Sequence, residues 1–171
     1  NLSVRRAVTQ TTLVGFTPTA VQTEPFNTYK AEQTEYDQTN DAKSFFGRID
    51  FDINDANRAY VRYNYSKNEA LNGVSTGETA LDPTTNRSLG TNGTENDENN
   101  IVVAGLVSNF SSRFSNDFRF QWAKDERPRL ANAQQVSVTS SIGELGSRTF
   151  LPTVQDDERY QIMDSITFNT G

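Results

Sequence analysis

The 171 residues include no cysteine and no histidine. That removes disulfides, thiol nucleophiles, imidazole bases and nearly all zinc chemistry in one step. Serine and threonine are plentiful, yet without histidine the usual activated-serine arrangement is out of reach. No GxSxG elbow, phosphate-binding glycine loop or twelve-residue calcium loop occurs. Basic charge is also short. The formal net charge is -6, and twelve of the sixteen basic residues are arginines scattered along the chain, so a nucleic-acid partner is not expected. Apolar residues make up only 34%, mean hydropathy is -0.69, and no run approaches the roughly eighteen apolar residues of a spanning helix.

The twenty-two carboxylates offer little chemistry of their own. Their densest clusters, Glu95–Glu98 and Asp156–Glu158, fall in stretches that read as loops, where charge is solvated rather than held in a pocket with a displaced pKa. The triplets Asn92-Gly93-Thr94 and Asn109-Phe110-Ser111 match the glycosylation pattern, which is common and uninformative alone. We expect no cofactor, no metal site and no enzymatic activity.

What the chain does have is aromatic residues in alternation. Eleven Phe and six Tyr argue against disorder throughout and suit strands with one apolar and one wet face. In Ser44–Ile53, Phe45, Gly47, Ile49, Phe51 and Ile53 share one face by the period of two, and Phe46, Arg48, Asp50 and Asp52 take the other. In Arg58–Lys67, Ala59, Val61, Tyr63 and Tyr65 oppose Tyr60, Arg62, Asn64 and Ser66. Asn54–Asn57 between them is rich in turn formers and predicts a hairpin, across which Arg48, Asp50, Asp52 and Arg62 are placed to pair.

The same layout recurs from Ile101. Ile101–Ser111 is strand-like with an ambiguous phase, since both faces are partly apolar at its start. Ser112–Asn116 reads as a tight turn, and in the strand over 117–125 Phe118, Phe120 and Trp122 alternate with Asp117, Arg119, Gln121 and Lys124. A last strand is expected over Arg159–Phe168, where Tyr160, Ile162, Ile166 and Phe168 share a face with Asp164. Long polar connections are expected over 68–100 and 126–158, the second with a short strand near Gln135–Ser141. Asn1–Asp41 is weakly patterned, with a short strand expected at Thr12–Phe16.

Long connections at one end of the strands and tight turns at the other are the layout of an outer-membrane barrel wall. The fold class expected is therefore all-β, an antiparallel meander forming a sector of a transmembrane β-barrel. Even counted generously the strands fall short of the roughly eight needed to close one. Tyr63, Tyr65 and Trp122 lie toward the long-connection end, where an aromatic girdle belongs. Arg48, Asp50, Arg62, Asn64, Arg119 and Gln121 are expected to face the lumen. Leu2–Ala7 carries two arginines with no hydrophobic core after it, so it does not read as a signal peptide, and the chain is expected to begin inside a longer protein.

The segment Lys43–Asn68, KSFFGRIDFDINDANRAYVRYNYSKN, resembles the early barrel strands of TonB-dependent outer-membrane receptors of the Oar-like group, whose members carry a carboxypeptidase-regulatory-like domain. Val107–Trp122 and Leu151–Phe168 continue the resemblance in order. It implies an energy-coupled transporter of the Gram-negative outer membrane, with outer-membrane lipid around it. A periplasmic TonB protein would rearrange a plug inside a pore of about 22 strands. Outer loops would capture a scarce substrate such as a siderophore, peptide or glycan fragment. Two other classes compete. One is a secreted or surface β-sandwich for adhesion or carbohydrate binding, in which Phe45, Ile49, Phe51, Val61, Phe118 and Phe120 would pack against a second sheet. The other is a fibre component that self-associates through open strand edges.

Overall fold

The computed structural model describes residues 2–8, 36–72, 89–140, 143–148 and 150–170, with residues 20, 27 and 31. Its strands are β1 (Leu2–Val8), β2 (Tyr36–Asn54), β3 (Asn57–Leu71), β4 (Gly93–Ser111), β5 (Phe114–Ala131), β6 (Val138–Ser140), β7 (Gly143–Leu145) and β8 (Thr153–Phe168). Six form one antiparallel sheet in the order β1-β2-β3-β4-β5-β8, and β6 and β7 form a separate small hairpin. Among the described residues the sheet is open, with β1 and β8 as its outer members.

The strands extend beyond the alternating segments. β2 begins at Tyr36 rather than Ser44, β4 at Gly93 rather than Ile101, β5 runs from Phe114 to Ala131, and β8 starts at Thr153. The extensions are mostly polar, with isolated apolar residues such as Phe114, Leu130 and Val154, so they carry no sustained amphipathic signal while still making backbone ladders. The short strand expected near Gln135–Ser141 is Val138–Ser140, paired with Gly143–Leu145. Thr12–Phe16 lies outside the described residues.

The chain divides into two compact units. One comprises Lys43–Lys67, Asp97–Glu126 and Gln155–Gly171, and holds both tight turns. The first turn is closed by the Asn54 side chain, whose Oδ1 accepts from Ala56 N and Asn57 Nδ2 at 3.0 and 2.8 Å. This asparagine bracket supplies the acceptor that the bent backbone lacks. Ala56 O in turn accepts from Asn109 N at 2.8 Å, and Arg113 O from Asn169 N at 2.9 Å, so each turn is bonded to the neighbouring strand end.

The other unit comprises Asn1–Ala42, Asn68–Asn96 and Arg127–Val154. In it β1 pairs with the start of β2 from Leu2 opposite Ala42 to Val8 opposite Tyr36. Among its described residues Leu145 and Leu151 are the buried apolar ones, and Asn72, Thr91 and Asn92 are buried polar ones. Buried amides and hydroxyls such as these require hydrogen-bond partners.

Candidate functional site: two faces of one wall

In the turn-bearing unit, side-chain contacts fix which residues share a face. Phe45 meets Tyr63 with ring centroids 6.2 Å apart. Between β5 and β8, Trp122 Nε1 donates to Glu158 Oε1 at 2.6 Å, Phe120 lies 6.5 Å from Tyr160, and Asn116 Nδ2 donates to Asp164 Oδ1 at 2.5 Å. These contacts step evenly along both strands, which puts Phe118 opposite Ile162. The phase of β8 is thereby settled: Tyr160, Ile162, Ile166 and Phe168 lie on the Phe118–Trp122 face, interrupted by Asp164.

The phase of β4 follows from a glycine. A Cβ on Gly105 would come within 2.3 Å of the Tyr60 ring, so Gly105 shares a face with Tyr60. Val102, Ala104, Leu106, Ser108 and Phe110 then take the opposite face, with Phe110 stacked on Phe114 at 5.1 Å.

The apolar face is bare. Among the described residues of this unit, thirteen large hydrophobic side chains are exposed, and eleven are on that face, from Phe45 through Phe168; only Phe46 and Met163 are on the other. Phe45, Ile49 and Phe51 are 59%, 62% and 49% exposed, which leaves no second sheet packed over them. A contiguous apolar face of this size in a soluble monomer would be an aggregation site; in a membrane it is the lipid face.

Polar groups mark where the apolar band stops. On the same face, toward the long-connection ends, Tyr63 OH donates to Asn100 Oδ1 at 2.6 Å and Tyr160 OH to Glu158 Oε1 at 2.7 Å. Lys67 reaches Glu98 at 3.8 Å, and Lys124 contacts Glu126 at 2.7 Å and Asp156 at 4.0 Å. Aromatic rings with hydrogen-bonding tips, followed by ion pairs, are the sequence of groups met on leaving hydrocarbon for the headgroups. Lys124 belongs to this face with Trp122, not to the wet face on which the alternation was read; its place two residues after Trp122 requires it.

The wet face centres on Tyr60. Arg48 lies over its ring, 4.3 Å from the centroid. Gly105 leaves the gap that the ring fills. The expected cross-hairpin pairing is partly replaced by pairing along each strand. Arg48 donates to Asp50 two residues on, at 2.6 Å through Nη2, and Arg119 to Asp117 at 2.5 Å. Residues two apart share a face and sit within reach of an arginine, so each ion pair forms on its own strand. Across the hairpin Asp52 instead takes Arg58 at 3.0 Å. Arg48 and Asp50 are thus brought together beside Tyr60; Arg62 and Asn64 follow Tyr60 along β3 on that face, as Gln121 follows Arg119 on β5.

With an exposed apolar surface, an ion-paired wet surface and aromatic rims in place, the family comparison is decisive: the model for the outer-membrane beta barrel domain matches residues 4–171. The chain belongs to that family. It is an outer-membrane β-barrel domain in an open, barrel-like sector. Comparison with curated proteins and with solved structures finds no match to either.

The barrel domain's second unit contains an amide knot that alternation does not reveal. Asn72, in the left-handed conformation at φ 57°, accepts at its carbonyl from Gln38 Nε2 and Asn92 Nδ2, both at 3.0 Å. Its own Nδ2 donates to Asp37 O at 2.7 Å, and its Oδ1 accepts from Asn132 Nδ2 at 2.8 Å. Asn132 also bonds Leu89 O at 3.0 Å, and Asn92 Oδ1 accepts from Gly93 N at 3.0 Å. The knot ties the ends of β3 and β5 to the start of β4, on side chains separated by 20 and 40 residues in sequence. Asn92 is only 2% exposed, which rules out glycan attachment in the folded barrel. Among the described residues no three acidic side chains converge as metal ligands.

Proposed function

We propose that this barrel sector is part of a TonB-dependent receptor that takes up a scarce substrate across the outer membrane. The observation carrying the reading is the wet face. Arg48 and Arg119 are ion-paired along their own strands, with Arg48 over Tyr60, as suits a wall enclosing a polar interior. The resemblance of Lys43–Asn68, Val107–Trp122 and Leu151–Phe168 to Oar-like receptors supports energy coupling, and an open six-stranded sector supports a barrel with many more strands. In this reading Arg48, Asp50, Arg62, Asn64, Arg119 and Gln121 face the lumen. The partners are outer-membrane lipid, TonB, and a siderophore, peptide or glycan fragment. The role is transport rather than catalysis.

The test is cross-linking of the full-length protein to TonB in living cells, with growth on limiting nutrients compared between wild type and deletion. Cross-linking that depends on the proton gradient, with a growth defect shared by a TonB deletion, is the expected result. An outer-membrane protein that never cross-links, and whose loss leaves growth unchanged, would remove energy-coupled uptake and leave the barrel. The β-sandwich reading finds no support in Phe45, Ile49, Phe51, Val61 and Phe118, which are 39–62% exposed where a second sheet should lie.

A further inference from the structure

Most arginines on the wet face come with acids. Arg48 has Asp50, Arg119 has Asp117 and Arg58 has Asp52. Arg62 and Arg159 have no such partner among the described residues, and of the two Arg159 is exposed while only Arg62 is half-buried. It lies on β3 two residues beyond Tyr60 and so on the same face, half-buried, and its Nε is enclosed with no hydrogen-bond partner. Among the described residues no carboxylate pairs with its guanidinium. We propose that Arg62 anchors an anion-binding site on the wet face, taking a carboxylate or phosphate group from whatever fills that face.

The chemistry follows from position. A guanidinium keeps its charge at any physiological pH, and its fork matches the two oxygens of a carboxylate or phosphate. Half-burial removes part of the water that would screen it, so an arriving anion is held more strongly than at an exposed cation. Neighbouring cations do not compete, because Asp50 and Asp117 already neutralise Arg48 and Arg119. Tyr60, with Arg48 over its ring and Gly105 against it, lies two residues before Arg62 on the same face, and Asn64 lies two residues after it. The anion has two sources, a free solute or an acidic side chain of another segment of the intact protein. The site is inferred from the wet face alone and does not depend on energy coupling.

The full-length protein in detergent is titrated with citrate and with inorganic phosphate by calorimetry, and its thermal unfolding is followed in wild type, R62Q, R62M and R62K. If the anion is a solute, citrate or phosphate binds and R62Q weakens it about 10- to 100-fold, the loss expected for a charged hydrogen-bonded contact. If the anion is a side chain, neither probe binds, and R62Q and R62M lower the unfolding midpoint by several degrees while R62K preserves most of it. Arg159, exposed on β8, is the control, and R159Q should change neither readout. Equal probe binding in wild type and R62Q, or no binding together with unchanged midpoints in R62Q and R62M, would overturn the site. R62M stability at the wild-type value alongside a loss in R62K would also overturn it, because the side chain would then act by packing.

Discussion

At the scale of single residues, two glycines make opposite demands although both forbid a side chain. A Cβ on Gly93 would fall 1.8 Å from Leu130 O, a backbone atom with nowhere to go. At Gly105 the obstruction is the Tyr60 ring, which can swing away by giving up its contact with Arg48. G105A is therefore expected to cost about 1 kcal/mol, the worth of a partly desolvated cation–π contact. G93A is expected to cost about 3 kcal/mol or more, since the backbone ladder itself must shift. Urea unfolding of the two variants in liposomes checks the order. Asn92 gives a second residue-scale outcome. N92A removes the acceptor of Gly93 N and a donor to Asn72 O, at a cost of about 1–3 kcal/mol. N92D should exceed it, because a buried carboxylate would then face the Asn72 carbonyl in place of an amide donor.

At the scale of strands, the faces carry distinct tolerances. Phe118, opposite Ile162 in the apolar band, should lose about 2–4 kcal/mol on F118R, the cost of arginine at bilayer depth. Q121R, three residues on and on the wet face, should change stability by less than about 0.5 kcal/mol. The fraction refolded into liposomes along a urea gradient compares them directly; equal losses would mean that both faces meet the same solvent. The legible part of the sequence was the part inside the membrane. Between Ser44 and Lys67 one face meets lipid and the other water, so hydropathy alternates and the strands announce themselves. In Gly93–Asn100 both faces are polar. There Thr94–Asn100 reads as a loop, although it forms the first part of β4. The phases of β4 and β8 were hidden for a related reason. Val103 sits buried on the wet face and Asp164 interrupts the apolar one, and contacts such as Tyr60–Gly105 and Asn116–Asp164 decide between the alternatives. The amide knot left no local signal, because three asparagines among many similar ones mean nothing until the chain brings them together.

At the scale of the whole molecule, everything turns on what covers the apolar face, and the chain carries its own reporter. Trp122 is the one tryptophan of the 171 residues. Its indole lies on that face beside Phe120, and its Nε1–H is held by Glu158. Such a residue belongs at the boundary between hydrocarbon and headgroup, with the ring in the first and the donor in the second. In liposomes of brominated phospholipid, the fluorescence difference between the full-length protein and W122F should be quenched. Quenching should be strong for bromines near the glycerol end of the acyl chain and weak for bromines near the bilayer centre. E158Q should leave this depth profile in place, since the neutral amide oxygen still accepts from the indole. Adding Y160F, which removes the second donor to the same acceptor, should also leave it in place. Replacing Phe118 by tryptophan in the W122F background should reverse the preference: residue 118 is four residues nearer the turn, about 13 Å along the strand, within the apolar band. A Trp122 emission untouched by bromine at every depth would mean that protein, not lipid, lies against Phe45, Ile49, Phe118 and Ile162, and the assignment of the two faces would have to be exchanged.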